Sequence, residues 1–120
     1  MAVARSREVK IIRRRITANG TWNYQIGYPV GRMALTVKGV GSAATAWKVE
    51  VKGRPAATDS GTAISSTTTV IDDHTSGVEA DGATVQSTNA GVLTNVDVVM
   101  STINLGSASA IDVEIVICDY

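Results

Sequence analysis

The sequence predicts an all-β protein, a jelly-roll-like sandwich of two sheets built from about eight strands. Val and Ile together number 26 against 3 Leu, and Ser plus Thr add 24 residues. These residues are mostly β-branched, and such side chains crowd a helix but suit a pleated sheet. Short apolar alternations recur between Gly-, Pro- and Asn-containing breaks. At 120 residues the chain is expected to form one domain with one core.

The N-terminal residues predict a basic arm, 1–8, leading into a single sandwich domain, 9–120. Between residues 5 and 16 the apolar side chains are spread over both parities, which predicts an edge strand or a strand covered on both faces. The arginines here are candidate partner-binding residues: Arg5, Arg7, Arg13, Arg14 and Arg15. The alternative is that their charge only keeps an edge strand solvated and protects it from pairing.

The next strand is predicted over residues 21–28. The dipeptide Asn19-Gly20 precedes it and is a strong hairpin signal, so we expect the first two strands to pair. Apolar residues at a period of two predict a core-facing row. An alternative interpretation is an exposed aromatic row that stacks on sugar rings, as in a carbohydrate-binding or adhesion module. The residues of this row are Trp22, Tyr24, Ile26 and Tyr28.

The clearest strand is 45–53, where Trp47, Val49 and Val51 alternate with charged residues. A large ring in the middle of a strand can fill the space between two sheets. We therefore expect Trp47 to be the centre of the core. The preceding strand, 32–40, alternates in the same way and is predicted to point Met33, Leu35 and Val37 inward.

An irregular acidic segment is expected to begin at Asp72-Asp73-His74 and to run to about Gly82. Its carboxylates and imidazole raise the hypothesis of a metal site. The spacing matches neither an EF-hand loop nor a zinc signature. We therefore expect no metal and no cofactor, and we expect His74→Ala to be nearly silent. Because no nucleophile or oxyanion site accompanies these residues, the chain is not expected to be an enzyme.

The last strands are predicted within 92–105 and over 111–117. In the first of them the inward residues change parity, which predicts a β-bulge near Ser101-Thr102. The second alternates regularly, and Cys118 falls on its outward parity. A single cysteine excludes an intrachain disulfide, so we expect a free thiol.

Charge is divided between two halves of the chain. Residues 1–54 hold all 11 basic residues and only Glu8 and Glu50, a net charge of +9, while residues 55–120 hold nine acidic and no basic residues. We expect strands from the two halves to interleave, so that cross-strand pairs absorb part of this asymmetry. The remaining charge would favour association with other subunits. The acidic half would repel phosphate, so nucleic acid is not an expected partner.

No membrane contact is expected either. The N-terminus lacks the apolar region of a signal peptide, and no apolar run approaches the roughly 18 residues of a membrane span. The sequence therefore predicts neither signal-dependent secretion nor membrane insertion.

The chain resembles the small β-sandwich decoration or cement proteins of tailed bacteriophages. The resemblance covers most of the chain and lies in the basic arm, a Ser/Thr-rich middle, a Trp-x-Val-x-Val-x-Gly strand at 47–53 and a closing Leu-Gly-Ser-Ala-Ser-Ala-Ile-x-Val-x-Ile-Val stretch at 105–116. It implies a structural virion protein without enzymatic activity, made in the host cytoplasm and placed on the outer capsid surface. The implied partners are the major capsid protein and sister copies, often as a homotrimer.

Overall fold

The structure is a computed structural model that describes residues 9–54, 67–75, 79–88 and 94–119. In this part of the chain the regular elements are all strands, which confirms the all-β prediction. No helix there is long and apolar enough to cross a membrane. The predicted arm, 1–8, lies outside the described residues. The strands are β1 (Val9–Ile16), β2 (Gly20–Gln25), β3 (Arg32–Val40), β4 (Ala46–Arg54), β5 (Thr67–Asp73), β6 (Thr84–Thr88), β7 (Asn95–Asn104) and β8 (Ala110–Cys118).

The strands form two four-stranded sheets with antiparallel neighbours. Sheet I has the order β1-β8-β3-β6, and sheet II has the order β2-β7-β4-β5. Every connection except that from β4 to β5 therefore crosses from one sheet to the other. Eight strands arranged in two sheets by such crossings make a jelly roll. The predicted sandwich architecture is confirmed.

Each pair of neighbouring strands joins the two oppositely charged halves of the chain. Strands β1 to β4 come from residues 1–54 and β5 to β8 from residues 55–120, and the two groups alternate across both sheets. The predicted interleaving is therefore confirmed. In sheet I, for example, the basic strand β1 lies against the acidic strand β8. Cross-strand pairs of opposite charge stabilise such ladders, whereas like charges placed opposite each other destabilise them.

Trp47 lies at the centre of the core, as predicted. Its side chain is fully buried and is the largest of the fully buried side chains in the described residues. Val49 and Val51 follow it on the inward face of β4 and are also fully buried. The inward residues of the other central strands complete the apolar layer between the sheets; they are Met33, Leu35, Val37, Val96, Val98, Met100, Ile111, Val113, Ile115 and Ile117.

The predicted β-bulge is present in β7. Lys48 of β4 pairs with Thr102, whereas the next residue, Val49, pairs with Met100. Ser101 is therefore the extra residue, and the inward parity of β7 changes there. Beyond the bulge Ile103 pairs with Trp47 and is partly buried against the core.

The hairpin expected at Asn19-Gly20 is wrong. Strand β1 pairs with β8 and β2 pairs with β7, so the chain crosses between the sheets at this point. A type I′ hairpin turn needs positive φ at its glycine, and Gly20 is not among the glycines with positive φ. Gly20 instead begins β2, and the Asn19 side chain donates a hydrogen bond to the Ser101 carbonyl at 3.1 Å.

Candidate functional site

Among the described strands, β1 is a terminal strand of sheet I, as its mixed polarity predicted. Its outward residues combine apolar and cationic side chains. Val9 and Ile11 are 53% and 49% exposed, and together with Ile71 they are the exposed large hydrophobic residues of the described chain. Arg13 and Arg15 continue the same outward row. This edge can therefore offer a partner both apolar contact and positive charge.

The two outward arginines are already engaged by the neighbouring acidic strand. Arg13 Nε lies 2.8 Å from Glu114 Oε2, and Arg15 donates to both Asp112 carboxylate oxygens at 2.8 and 3.0 Å. The hydrogen bonds from Arg15 lower the pKa of Asp112 and raise the pKa of Arg15. Exposed pairs of this kind contribute little to stability. The residues 13–15 and 112–114 also line an open depression of about 400 Å³.

Arg14 lies on the opposite face of β1 from Arg13 and Arg15. Its guanidinium carbon is 4.5 Å from the Trp22 ring centroid, and Nη1 donates to the Tyr24 hydroxyl at 3.1 Å. A guanidinium over an indole face is attracted by the ring quadrupole. Arg14 therefore holds β1 against β2 where the two sheets meet. Of the predicted partner-binding residues, Arg5 and Arg7 lie outside the described part of the chain.

The aromatic row of the second strand belongs to the core, as its period predicted. Ile26 is buried, and Trp22, Tyr24 and Tyr28 are partly buried and packed on the core. The Tyr28 hydroxyl also donates to the Ile117 carbonyl at 3.3 Å. The exposed row of rings that a sugar-stacking surface requires is therefore not found at these residues.

A polar group is buried beside Trp47. Asp72 is fully buried on the inward face of β5, and Trp47 Nε1 donates to its Oδ1 at 2.7 Å. No described residue donates to Oδ2. Removal from water raises the pKa of Asp72 to about 6, although the hydrogen bond from Trp47 acts in the opposite direction. A buried carboxyl without a full set of partners is costly to ionise.

His74 stacks on the ring of the same indole. The two ring centroids are 4.3 Å apart with an interplanar angle of 23°. The His74 amide donates to the Trp47 carbonyl at 2.8 Å, and Nδ1 contacts the Glu79 carbonyl oxygen. The irregular acidic segment was therefore predicted to begin two residues too early, because Asp72 and Asp73 end β5. The expectation that His74→Ala is nearly silent assumed a solvated loop, and the contact of His74 with Trp47 removes that assumption.

These acidic residues do not assemble a metal site in the described part of the chain. No group of three or more His, Cys, Asp or Glu side chains there could hold a metal ion. Asp73 instead accepts hydrogen bonds from the amide and hydroxyl of Thr75, which lower its pKa. Cys118 carries a half-buried thiol that donates to the Arg32 carbonyl at 3.8 Å.

Topology and surface together define an eight-stranded jelly-roll protein with a cationic, partly apolar edge strand. A solved structure with a similar fold is that of YomS, a protein derived from the SPBc2 prophage. The similarity has a TM-score of 0.61 and covers 98% of this chain and 99% of YomS, at 9% sequence identity. At this identity the likeness shows a shared fold. No protein-family model and no curated protein sequence matches the chain.

Proposed function

We propose that the chain is a structural virion protein of a tailed bacteriophage, a decoration or cement protein that binds the outer capsid surface and stabilises contacts between major capsid subunits. The observation that carries the proposal is the agreement in fold, over nearly the whole length of both chains, with a prophage-derived protein. Jelly rolls are a common fold of viral capsid proteins. The resemblance of residues 47–53 and 105–116 to cement proteins favours the same role.

In this proposal the arm and the outward row of β1 make the contacts with the two partners, the major capsid protein and the sister copies. Arg5 and Arg7 of the arm, with Arg13 and Arg15, provide positive charge for an acidic surface. Val9 and Ile11 provide apolar area, since both are about half exposed. Charge gives encounter rate and register, and burial of apolar surface adds affinity. Arg14 acts indirectly by holding β1 against β2.

The same proposal gives the protein its partners and location. It is made in the host cytoplasm, forms a homotrimer and joins the assembled capsid, where each trimer ties neighbouring major capsid subunits together. It acts by binding alone, so it is not an enzyme and uses no cofactor, nucleic acid or membrane.

Binding to capsids that lack the protein should be strong for the wild type and weak for a variant without the contact charges. The variant lacks residues 1–7 and carries Arg13→Ser and Arg15→Ser. It should keep its β-fold by circular dichroism and bind at least about tenfold more weakly, a change worth about 1.4 kcal/mol. Binding is measured by co-sedimentation with shells assembled from the major capsid protein of the phage that encodes the chain.

A matched control changes Lys48 and Lys52, two basic residues on β4 in sheet II, to serine and should bind like the wild type. Wild-type binding should also weaken toward molar salt, where the screening length falls to about 3 Å. Wild-type protein that stays in the supernatant at low salt would contradict the capsid role. Equal binding by the wild type and the variant would show that the arm and β1 do not form the contact with the capsid.

A further inference from the structure

The two sides of the sandwich carry opposite charge. On one side β1 and β2 are the terminal strands of the two sheets, and on the other side β6 and β5 are. Strand β1 has four basic residues and no acidic one, and β2 has no charged residue. The described residues of the opposite side, 67–75 and 79–88, have no Lys or Arg and, apart from the buried Asp72, three carboxylates: Asp73, Glu79 and Asp81.

Exposed apolar residues mark the same two edges. Val9 and Ile11 lie on β1, and Ile71 lies on β5 with 42% of its surface exposed. These three are the exposed large hydrophobic side chains of the described chain. Next to them in the outward rows stand Arg13 on β1 and Asp73 on β5. Each edge thus presents an apolar residue followed, two positions later, by a charge of opposite sign to that on the other edge.

We propose that these edges bind each other between copies of the chain, so that β1 of one copy lies beside β5 of the next with Ile11 against Ile71 and Arg13 against Asp73. The equal two-residue spacing makes both contacts possible when the strands run parallel, because side chains two positions apart share a face. Such a contact joins two different surfaces of the chain and is therefore heterologous. The copy at each end of the assembly keeps one unpaired edge, so further copies can add until a ring closes.

A second copy is the occupant that the charges favour. Two β1 edges facing each other would bring Lys10 and the arginines 13–15 of both copies together, and like charges placed opposite each other are destabilising. The β5 edge offers carboxylates instead. Asp73 remains ionised near neutral pH because the hydrogen bonds from Thr75 lower its pKa. Arg13 can reach it at little cost, since its exposed pair with Glu114 is weak.

This inference deepens the self-association in the proposed function and rests on it in that respect. Ile11 and Arg13 then face the sister copy, and the capsid contact is left to Arg5, Arg7, Val9 and Arg15. Its experiments contain no capsid, so their failure and a failure of capsid binding are separate results. A protein that is monomeric but binds capsids would overturn the edge contact and the homotrimer and leave the capsid role standing. A protein that forms the edge-linked oligomer but ignores capsids would overturn only the capsid role.

The first experiment reverses one charge on each edge and uses size-exclusion chromatography with light scattering. Wild-type protein should be oligomeric at low salt, while Arg13→Asp and Asp73→Arg should each weaken association at least about tenfold. Mixing the two variants should restore the oligomer, because each retains one intact edge and the reversed pair is again complementary. Lys52→Asp, on the face of sheet II, serves as the control of equal charge change and should associate like the wild type.

The second experiment cross-links the edges directly and does not depend on charge. With Cys118→Ser as background, Ile11→Cys combined with Ile71→Cys should give disulfide-linked oligomers under mild oxidation, since paired strands bring Cα atoms within disulfide range. Replacing Ile11→Cys by Thr21→Cys, an exposed site on β2, should leave the protein unlinked. Monomeric wild type, a mixture of charge variants that stays monomeric, or equal linking through Thr21→Cys would each overturn the proposal.

Discussion

Trp47→Ala should lower the free energy of unfolding by on the order of 3 to 5 kcal/mol. This is a large share of the roughly 5 to 15 kcal/mol that a domain of this size has. The substitution empties the centre of the core, where the indole is fully buried. It also removes the donor to Asp72 and the ring on which His74 stacks. Chemical denaturation followed by circular dichroism measures the loss, and a change below about 1 kcal/mol would contradict the placement of Trp47.

Trp47→Phe tests the contribution of the hydrogen bond to Asp72 separately from that of the buried ring. Phenylalanine keeps an aromatic ring between the sheets but cannot donate to Asp72, so its cost should be intermediate. Trp22→Phe is the matched control, because Trp22 is only partly buried at the sandwich edge. It should be the milder change of the two. A Trp47→Phe protein as stable as the Trp22→Phe protein would mean that the hydrogen bond to Asp72 contributes nothing.

Stability should fall as the pH rises from about 4 to above 6, and Asp72 should be the cause. Burial raises its pKa from 3.8 to about 6, so between these values the folded protein binds a proton that the unfolded chain releases. The contribution of protonated Asp72 to stability is fully present below the unfolded pKa. It is lost as the pH rises through the folded pKa. At about 1.36 kcal/mol for each pKa unit, the change is on the order of 3 kcal/mol. The carboxylates of Glu79 and Asp73 add to the shift, and His74 opposes it.

Asp72→Asn should remove this pH dependence. The amide is neutral at every pH, and its oxygen can still accept the hydrogen bond from Trp47. The variant should match the wild type near pH 4 and be more stable above pH 6 in thermal denaturation. Asp73→Asn is the control, since the pKa of Asp73 is lowered and its contribution to stability changes with pH only below the unfolded value of 3.8. The same slope in the wild type and in Asp72→Asn would show that another group titrates.

Much of the fold follows from local alternation, because side chains on one face of a strand share one environment. The strand centred on Trp47 could be predicted from its own residues. The bulge at Ser101 could be predicted as well, since a parity change within one strand requires an extra residue. The interleaving of the two charged halves followed from electrostatics, because strands of like charge are poor neighbours.

The errors concern long-range pairing. Asn19-Gly20 marks where β1 ends, but a local turn signal carries no information on whether the next strand joins the same sheet. The role of Arg14 was also hidden, because its contact with Trp22 depends on how β1 and β2 meet across the sandwich.

The burial of Asp72 was not predicted, although a signal for it was present in the sequence. Asp72 continues the parity of Val70, which is buried, and so falls on the inward face of β5. A buried tryptophan N–H needs an acceptor, and a carboxylate on a core-facing position can supply one. The clustering of Asp72 with Asp73 and His74 suggested a solvated loop, because charged residues are rarely fully buried.

Electron cryo-microscopy of capsids incubated with the protein tests the central claim most directly. Shells that otherwise lack the protein are compared before and after addition. The proposed function predicts new density on the outer surface, with the shape of a two-sheet sandwich and in contact with at least two major capsid subunits. Density inside the shell or confined to the tail, or shells unchanged at saturating protein, would contradict the proposed function.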